Sequence, residues 1–393
     1  MEKFINKIAQ TIYASKKEKL EDLCIVLPSK RAGTFFKQAL ADLSDVPLWM
    51  PKIYSIEDWL EELSGYAILD RTSLLFELYI SYQEVFPKEE QDSFEAFLKW
   101  APMLLTDFND IDAYLEQPNK LFDYLHQAKK IEAWTPLSGE TSDMVNNYLR
   151  FWELMGLLFV DFKTRLEAQN YAFQGMAYRK ASNVIGRWII ENKPAKGSVC
   201  YVGFNAMNPC EERIMRTLIA EDIAEAFWDA DTYYLNDKKQ EAGKYLRKHK
   251  QWPEFESRGF NWLCSELNKT KEIKVYGVPK GIAQAQLAGS LVDEHHSKKQ
   301  ELKDVALVLA DENLLLPVLE FLPNSIDKLN ITMGNSMRNV HMYAFFDAFF
   351  RDSTLGYPVQ NKSVILLPLK VSVGYVRGLD SHAVTRCPGE DEI

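Results

Sequence analysis

The chain has 393 residues, 47% of them hydrophobic and 12% aromatic, and carries a formal net charge of −10. That length leaves room for two or three domains with cores of their own, and that composition excludes a disordered chain. No apolar run reaches the roughly 20 residues that span a bilayer. The opening Met-Glu-Lys-Phe-Ile-Asn-Lys lacks the apolar stretch and cleavage site of a secretion signal. Five cysteines (Cys24, Cys200, Cys210, Cys264, Cys387) are scattered without C-x-x-C spacing. This pattern fits reduced thiols in a cytoplasmic protein and offers no metal site.

The charge is unevenly spread. Residues 1–40 carry eight Lys/Arg against four Asp/Glu, a balance of +4, while residues 51–118 carry four against fifteen, a balance of −11. The acidic stretch reads as a solvated helical face and argues against an extended DNA groove over it.

In chain order, residues 4–20 form an amphipathic, lysine-rich helix. The β-branched run 23–27 then reads as a buried strand, followed by a polar turn and a helix opening on Ala32-Gly33. Residues 51–60 predict a short strand, Ser55 as a helix N-cap with Asp58 three residues on, and a helix. From about 57 to 190 apolar residues recur at three- and four-residue steps, so a helical segment of well over a hundred residues interrupts the sheet. Asp107, Asp110 and Asp112, with Asn109, have neither the glycine nor the closing glutamate of a calcium loop; they read as caps on a helix whose apolar face holds Leu104, Phe108 and Ile111. The large aromatics Trp59, Trp100, Trp134, Trp152 and Trp228 are read as core residues. Further strands are predicted at 198–204, 223–231, 273–278 and 304–310, giving the strand–helix alternation of a parallel α/β sheet. Residues 236–272 are polar and basic and read as a connector.

The turn after the first strand carries the clearest chemical signal. Ser29, Lys30 and Arg31, at a helix N-terminus, supply hydroxyl, positive charge and free amides, the groups that hold a nucleic-acid phosphate. The same residues also read as an ordinary basic strand-to-helix turn. No G-x-x-x-x-G-K-[ST] phosphate loop occurs anywhere in the sequence.

Five stretches in order, Leu27-Pro-Ser-Lys-Arg-Ala-Gly33, Leu105-Thr-Asp-Phe-Asn-Asp-Ile-Asp112, Val202-Gly-Phe-Asn-Ala-Met-Asn208, Phe227-Trp-Asp-Ala-Asp231 and Asn330-Ile-Thr-Met-Gly-Asn335, carry a resemblance. Over roughly residues 1–355 the chain resembles the AddB-type subunit of bacterial break-repair helicase-nucleases, in the variety described as an inactivated superfamily-one helicase. The resemblance implies an α/β, RecA-like lobe (1–60 and 186–235) with a large helical insertion (61–185). The connector would then lead to a partial second α/β, RecA-like lobe (273–360), while the tail (361–393) is atypical and departs from the family pattern. It places Gly203 and Phe204 where a helicase has its magnesium-binding acidic pair, Asp231 at a nucleotide-sensing strand end, and Asp311 where a motor offers an arginine. On this reading these are degenerate nucleotide-site positions, and there is no catalytic residue, no metal and no cofactor. The implied partners are an AddA-like helicase-nuclease subunit and single-stranded or end DNA, contacted weakly through Ser29, Lys30, Arg31 and Ser55. Two other readings stay open: a truncated piece of an exonuclease whose nuclease domain is missing, and a protein-interaction module with no DNA role.

Overall fold

Buried strands need apolar residues on both faces, and two runs of this chain supply them. In the computed structural model, which describes residues 3–132, 143–256, 259–260, 262–298, 302, 305–326, 328–334, 336 and 341–354, those runs are the central strands of a parallel sheet. The chain divides into two units, Met1–Lys271 and Glu272–Ile393. Trp134, Cys387 and the tail 361–393 lie outside the described residues.

The first unit begins with α1 (Phe4–Lys16), β1 (Cys24–Leu27), α2 (Lys30–Ala41), β2 (Lys52–Ser55) and α3 (Ile56–Ser64). A helical segment follows: β3 (Ala67–Ile68), α4 (Arg71–Val85), α5 (Phe94–Phe97), α6 (Ala101–Ala113), α7 (Pro118–Glu132), α8 (Asp143–Ala168), β4 (Tyr171–Ala172) and α9 (Gln174–Asn192). The chain then returns to the sheet with β5 (Val199–Val202), α10 (Pro209–Ala220) and β6 (Ala224–Phe227). It ends with β7 (Ala230–Asp231), α11 (Thr232–Asn236), α12 (Lys244–Lys250) and β8 (Leu263–Cys264).

The main sheet has the order β2-β1-β5-β6, all parallel. From β1 the chain moves outward to β2, then returns to the other side of β1 as β5 and moves outward again to β6. Right-handed crossovers therefore require α2 and α10 on opposite faces. They are: Ile25, Leu27, Cys200 and Val202 pack with Ile8, Ile12, Phe36 and Leu40 of α1 and α2. Val26, Val199 and Tyr201 pack with Trp59, Leu60, Ile214 and Met215 of α3 and α10. Period-two alternation along each strand produces this division.

The helical segment has a separate core rich in aromatic rings, with Tyr82 against Phe86 at 4.5 Å, Phe97 against Trp100 at 4.9 Å and Phe108 against Phe159 at 4.9 Å. Where the chain leaves and re-enters it, β3 pairs in parallel with β4, and Tyr66 donates to Glu167 at 2.5 Å. The helices α6 and α9 cross so closely that a Cβ on Gly175 would lie 2.1 Å from the Asn109 carbonyl oxygen, so only glycine fits there. The apolar face of Phe108 and Ile111 is as expected, but the aspartates are not caps: all three lie within α6. Asp112 is fully buried and bridges Lys163 of α8 at 2.6 Å and Arg179 of α9 at 2.7 Å. Arg179 also donates to the Ile111 and Glu116 carbonyls, which locks three helices together.

Of the stretch 236–272 expected as a connector, the described part from α12 to Phe260 packs on the rest of the first unit instead. Leu246, His249 and Trp252 are buried, and with Phe255 and Phe260 they wrap the buried Trp228 at the end of the sheet. Spaced aromatics carry this packing even though the surrounding composition is polar.

The second unit contains α13 (Lys280–Ser297), α14 (Leu315–Phe321) and α15 (His341–Thr354). Its buried apolar residues among those described are Ala285, Leu315 and Val318, where α13 meets α14. The strands expected at 273–278 and 304–310 are absent among the described residues, with Val275 91% and Val308 87% exposed. A parallel strand needs a ladder neighbour and cover on its faces, and at these runs the described residues of this unit show neither.

Candidate functional site

Parallel neighbours point their C-terminal ends the same way, so the turns after β1 and β2 lie side by side. Ser29 caps α2 by accepting from Ala32 N at 3.3 Å, and Ser55 caps α3 by accepting from Asp58 N at 3.2 Å. The Ser55 hydroxyl also donates to the Asp58 carboxylate at 2.7 Å. Lys30 crosses from one turn to the other and pairs with Asp58 at 3.0 Å. Partial burial works against the Asp58 charge, but the Ser55 hydrogen bond and the Lys30 ammonium outweigh it and hold this carboxyl below its usual range. Lys30 is raised in turn by its bond to Asp58. Arg31 lies over the half-exposed Phe35 ring at 5.6 Å. The four residues read from the sequence thus share one edge of the sheet. Ser55 is buried with its hydroxyl engaged in capping, whereas Lys30 and Arg31 are exposed.

Beside these turns is a cleft of about 530 Å³. Pro28 follows β1 in its wall, Ile56 and Glu57 follow β2, and Gly203 to Ala206 follow β5. The helical segment closes the opposite side with Asn109, Asp110, Tyr114, Gln174 and Tyr178. The cleft therefore sits outside the C-terminal ends of β1 and β5, where the strand order reverses, the place open α/β sheets keep for ligands.

Its chemistry is acidic and amide-rich. Glu57, Asp110 and Glu211 line it along with Asn109, Asn205, Asn208 and Gln174, and no Lys, Arg or His does so among the described residues. Asn208 and Glu211 form a reciprocal cap on α10, each accepting from the other's backbone amide at 3.0 Å. Burial pushes the Glu211 carboxyl up against the lowering hydrogen bonds from Asn208, and Glu57 across the cleft adds a smaller push in the same direction as burial. Gln174 donates to the Tyr178 hydroxyl at 2.7 Å and reaches Glu57 at 3.4 Å. Tyr178 is itself raised, chiefly by burial.

Gly203 and Phe204 both border this cleft. Gly203 takes the left-handed conformation (φ 75°) that ends β5 while donating to the Phe227 carbonyl at 2.9 Å. Phe204 is buried against Tyr201, with ring centres 5.7 Å apart. Neither side chain supplies an oxygen for a metal. Asp231 lies away from the cleft, capping α11 through Tyr233 N at 2.9 Å and accepting from Leu267 N at 3.0 Å. Burial opposes its charge, but these bonds hold it below the ordinary carboxylate range. Asp311 belongs to the second unit, where it caps the short 3₁₀ turn at Glu312–Leu314.

The sequence reading passed over Glu57, Gln174, Tyr178 and Glu211. For Glu211 a signal was present, since Asn208-Pro-Cys-Glu211 is a capping-box spacing. Among the described residues, no cluster of three or more His, Cys, Asp or Glu is placed to hold a metal, and no helix is long and apolar enough to cross a membrane. In comparison with known proteins, the chain matches no protein-family model and no curated protein sequence.

Proposed function

We propose that this chain is a helicase-like lobe without motor chemistry, a RecA-like sheet with a helical insertion that contacts DNA weakly and docks a partner in a break-processing helicase-nuclease. The AddB-type resemblance motivates the DNA-repair setting. The observation that carries the non-motor reading is the cleft at the strand-order reversal. A nucleotide site needs cations, a phosphate loop and a metal-binding carboxylate pair there. This cleft has Glu57, Asp110 and Glu211 in its walls and Gly203-Phe204 at the strand end. Three carboxylates in a cleft repel a triphosphate instead of binding it.

DNA contact on this reading falls to the exposed cations beside the cleft, Lys30 and Arg31. Because Asp58 already holds Lys30, Arg31 is the stronger of the two. Two titrations test the reading. Calorimetry with an ATP analogue and magnesium is expected to give no saturable binding, and micromolar affinity refutes the non-motor assignment. Fluorescence anisotropy with single-stranded DNA at low salt should give weak binding. Lys30→Ala with Arg31→Ala should reduce it and flatten its salt dependence by about one phosphate contact or more. Unchanged affinity and slope remove the turn from the site.

The acidic cleft and the net charge of −10 also support a second reading, an interaction module with no DNA role. Absence of DNA binding at low salt, or its complete loss to a competing polyanion, selects that reading.

A further inference from the structure

The cleft does not end at the sheet. Asn109 and Gln174 also line a second cavity of about 270 Å³, walled by Ile68, Leu69, Leu74, Leu105 and Phe173, with Arg71 and Thr106 as its other polar members. The two cavities adjoin at Asn109 and Gln174 and together make a groove with an acidic end at the sheet edge and a mainly apolar end, edged by Arg71, between α4, α6 and α9. None of Glu57, Asp110 and Glu211 has an ion-pair partner among the described residues. At the rim, Tyr114 is 56% exposed, and an exposed tyrosine beside a cleft is a common anchor of protein interfaces.

We infer that this groove docks a peptide segment of a partner protein, seating an arginine or lysine side chain among Glu57, Asp110 and Glu211 and a neighbouring large apolar side chain among Leu69, Leu105 and Phe173. Charge complementarity selects the occupant. A nucleic acid or phosphorylated segment would bring like charge into the acidic end, and a purely apolar ligand would desolvate the three carboxylates without neutralising their charge. A basic group answers the mutual repulsion of Glu57 and Glu211. The inference rests on the partner-docking half of the function proposed above and is independent of DNA binding.

The test is a selection of phage-displayed random dodecapeptides on the full chain, followed by affinity measurements on the enriched peptides. Enrichment of sequences that pair Arg or Lys with a nearby Leu, Met or Phe is expected, with affinity that falls as salt rises. Glu57→Gln with Asp110→Asn, two exposed carboxylates outside the core, should weaken these peptides about tenfold. Leu69→Asp should weaken them through the apolar end. Circular dichroism and the melting temperature check that each variant keeps its fold. Where Leu69→Asp does not fold, exchange of the peptide's apolar residue for Asp takes its place. No enrichment over background, enriched peptides lacking a basic residue, or unchanged affinity for the Gln/Asn variant each overturns the inference. DNA binding measured in parallel on the unaltered chain separates the two claims: peptide binding without DNA binding removes only the DNA reading, and the converse removes only this one.

Discussion

The two units of this chain spend similar residues to different ends. In the first, the runs at 24–27 and 199–202 are buried on both faces by four helices and become the centre of a parallel sheet. In the second, the run at 273–278, equally rich in β-branched residues, has Ile273 79% and Val275 91% exposed and no ladder. What differs is the surroundings. A β-branched apolar run is permission to be a strand, and neighbours on its edges and faces turn that permission into structure.

The comparison is broken most severely by removing what holds the first unit's layers together. Asp112 is enclosed by α6, α8 and α9, and it neutralises Lys163 and Arg179, which are themselves mostly buried. Asp112→Ala leaves two cations without their counter-charge inside the helical segment. A loss of about 3–5 kcal/mol is expected, read from the midpoint of urea unfolding. A loss below about 1 kcal/mol would mean that water reaches the cluster and that the three helices do not depend on it.

Much of the first unit was legible beforehand. The strands at 23–27 and 198–204, the first half of the run 223–231, the long helical interruption and the cap at Ser55 follow from local patterns of period, β-branching and cap chemistry. The second half of 223–231 leaves the sheet after Phe227 and pairs with β8 instead. The cleft was not legible, because it is assembled from residues near 57, 110, 174 and 205 whose meeting is decided by topology. Glu211 looked like a helix cap and is one; nothing local says that the same carboxylate faces Glu57 across a cavity. Gly175 is similar, since only the close crossing of α6 explains it. The polar stretch after Tyr234 was misjudged as a connector because charge dominates its composition while Trp252, Phe255 and Phe260, spaced along it, carry its packing.

That packed stretch supplies the next test. His249 is buried, lies flat against Trp228 at 5.2 Å, and has its Nε2 2.7 Å from the Asn205 carbonyl oxygen beside the cleft. Burial, against the opposing influence of that hydrogen bond and of Glu212, pushes its pKa below the usual value. The fold thus keeps the ring neutral while the unfolded chain takes up a proton near pH 6.5. The resulting stability is complete above about pH 6.5 and is lost as pH falls towards the depressed folded value. The melting temperature should therefore drop between about pH 6.5 and 5, and drop less steeply in His249→Gln, whose amide keeps a donor for Asn205. Parallel curves for the two proteins would show that His249 does not titrate on unfolding in this range.

The smallest effect is expected where the second unit lacks cover, and its smallness is the point. Val275→Thr and Val308→Thr exchange a methyl for a hydroxyl at near-constant shape. In a buried strand that change strands a polar group, but at positions 91% and 87% exposed the hydroxyl stays in water. Each should alter unfolding free energy by no more than about 0.5 kcal/mol. Hydrogen exchange should agree, with slow amides across Val199–Val202 and fast ones across 273–278. Slow exchange at 273–278, or a cost above about 1 kcal/mol for either substitution, would mean that these runs do find strand neighbours and that the contrast between the two units is one of degree.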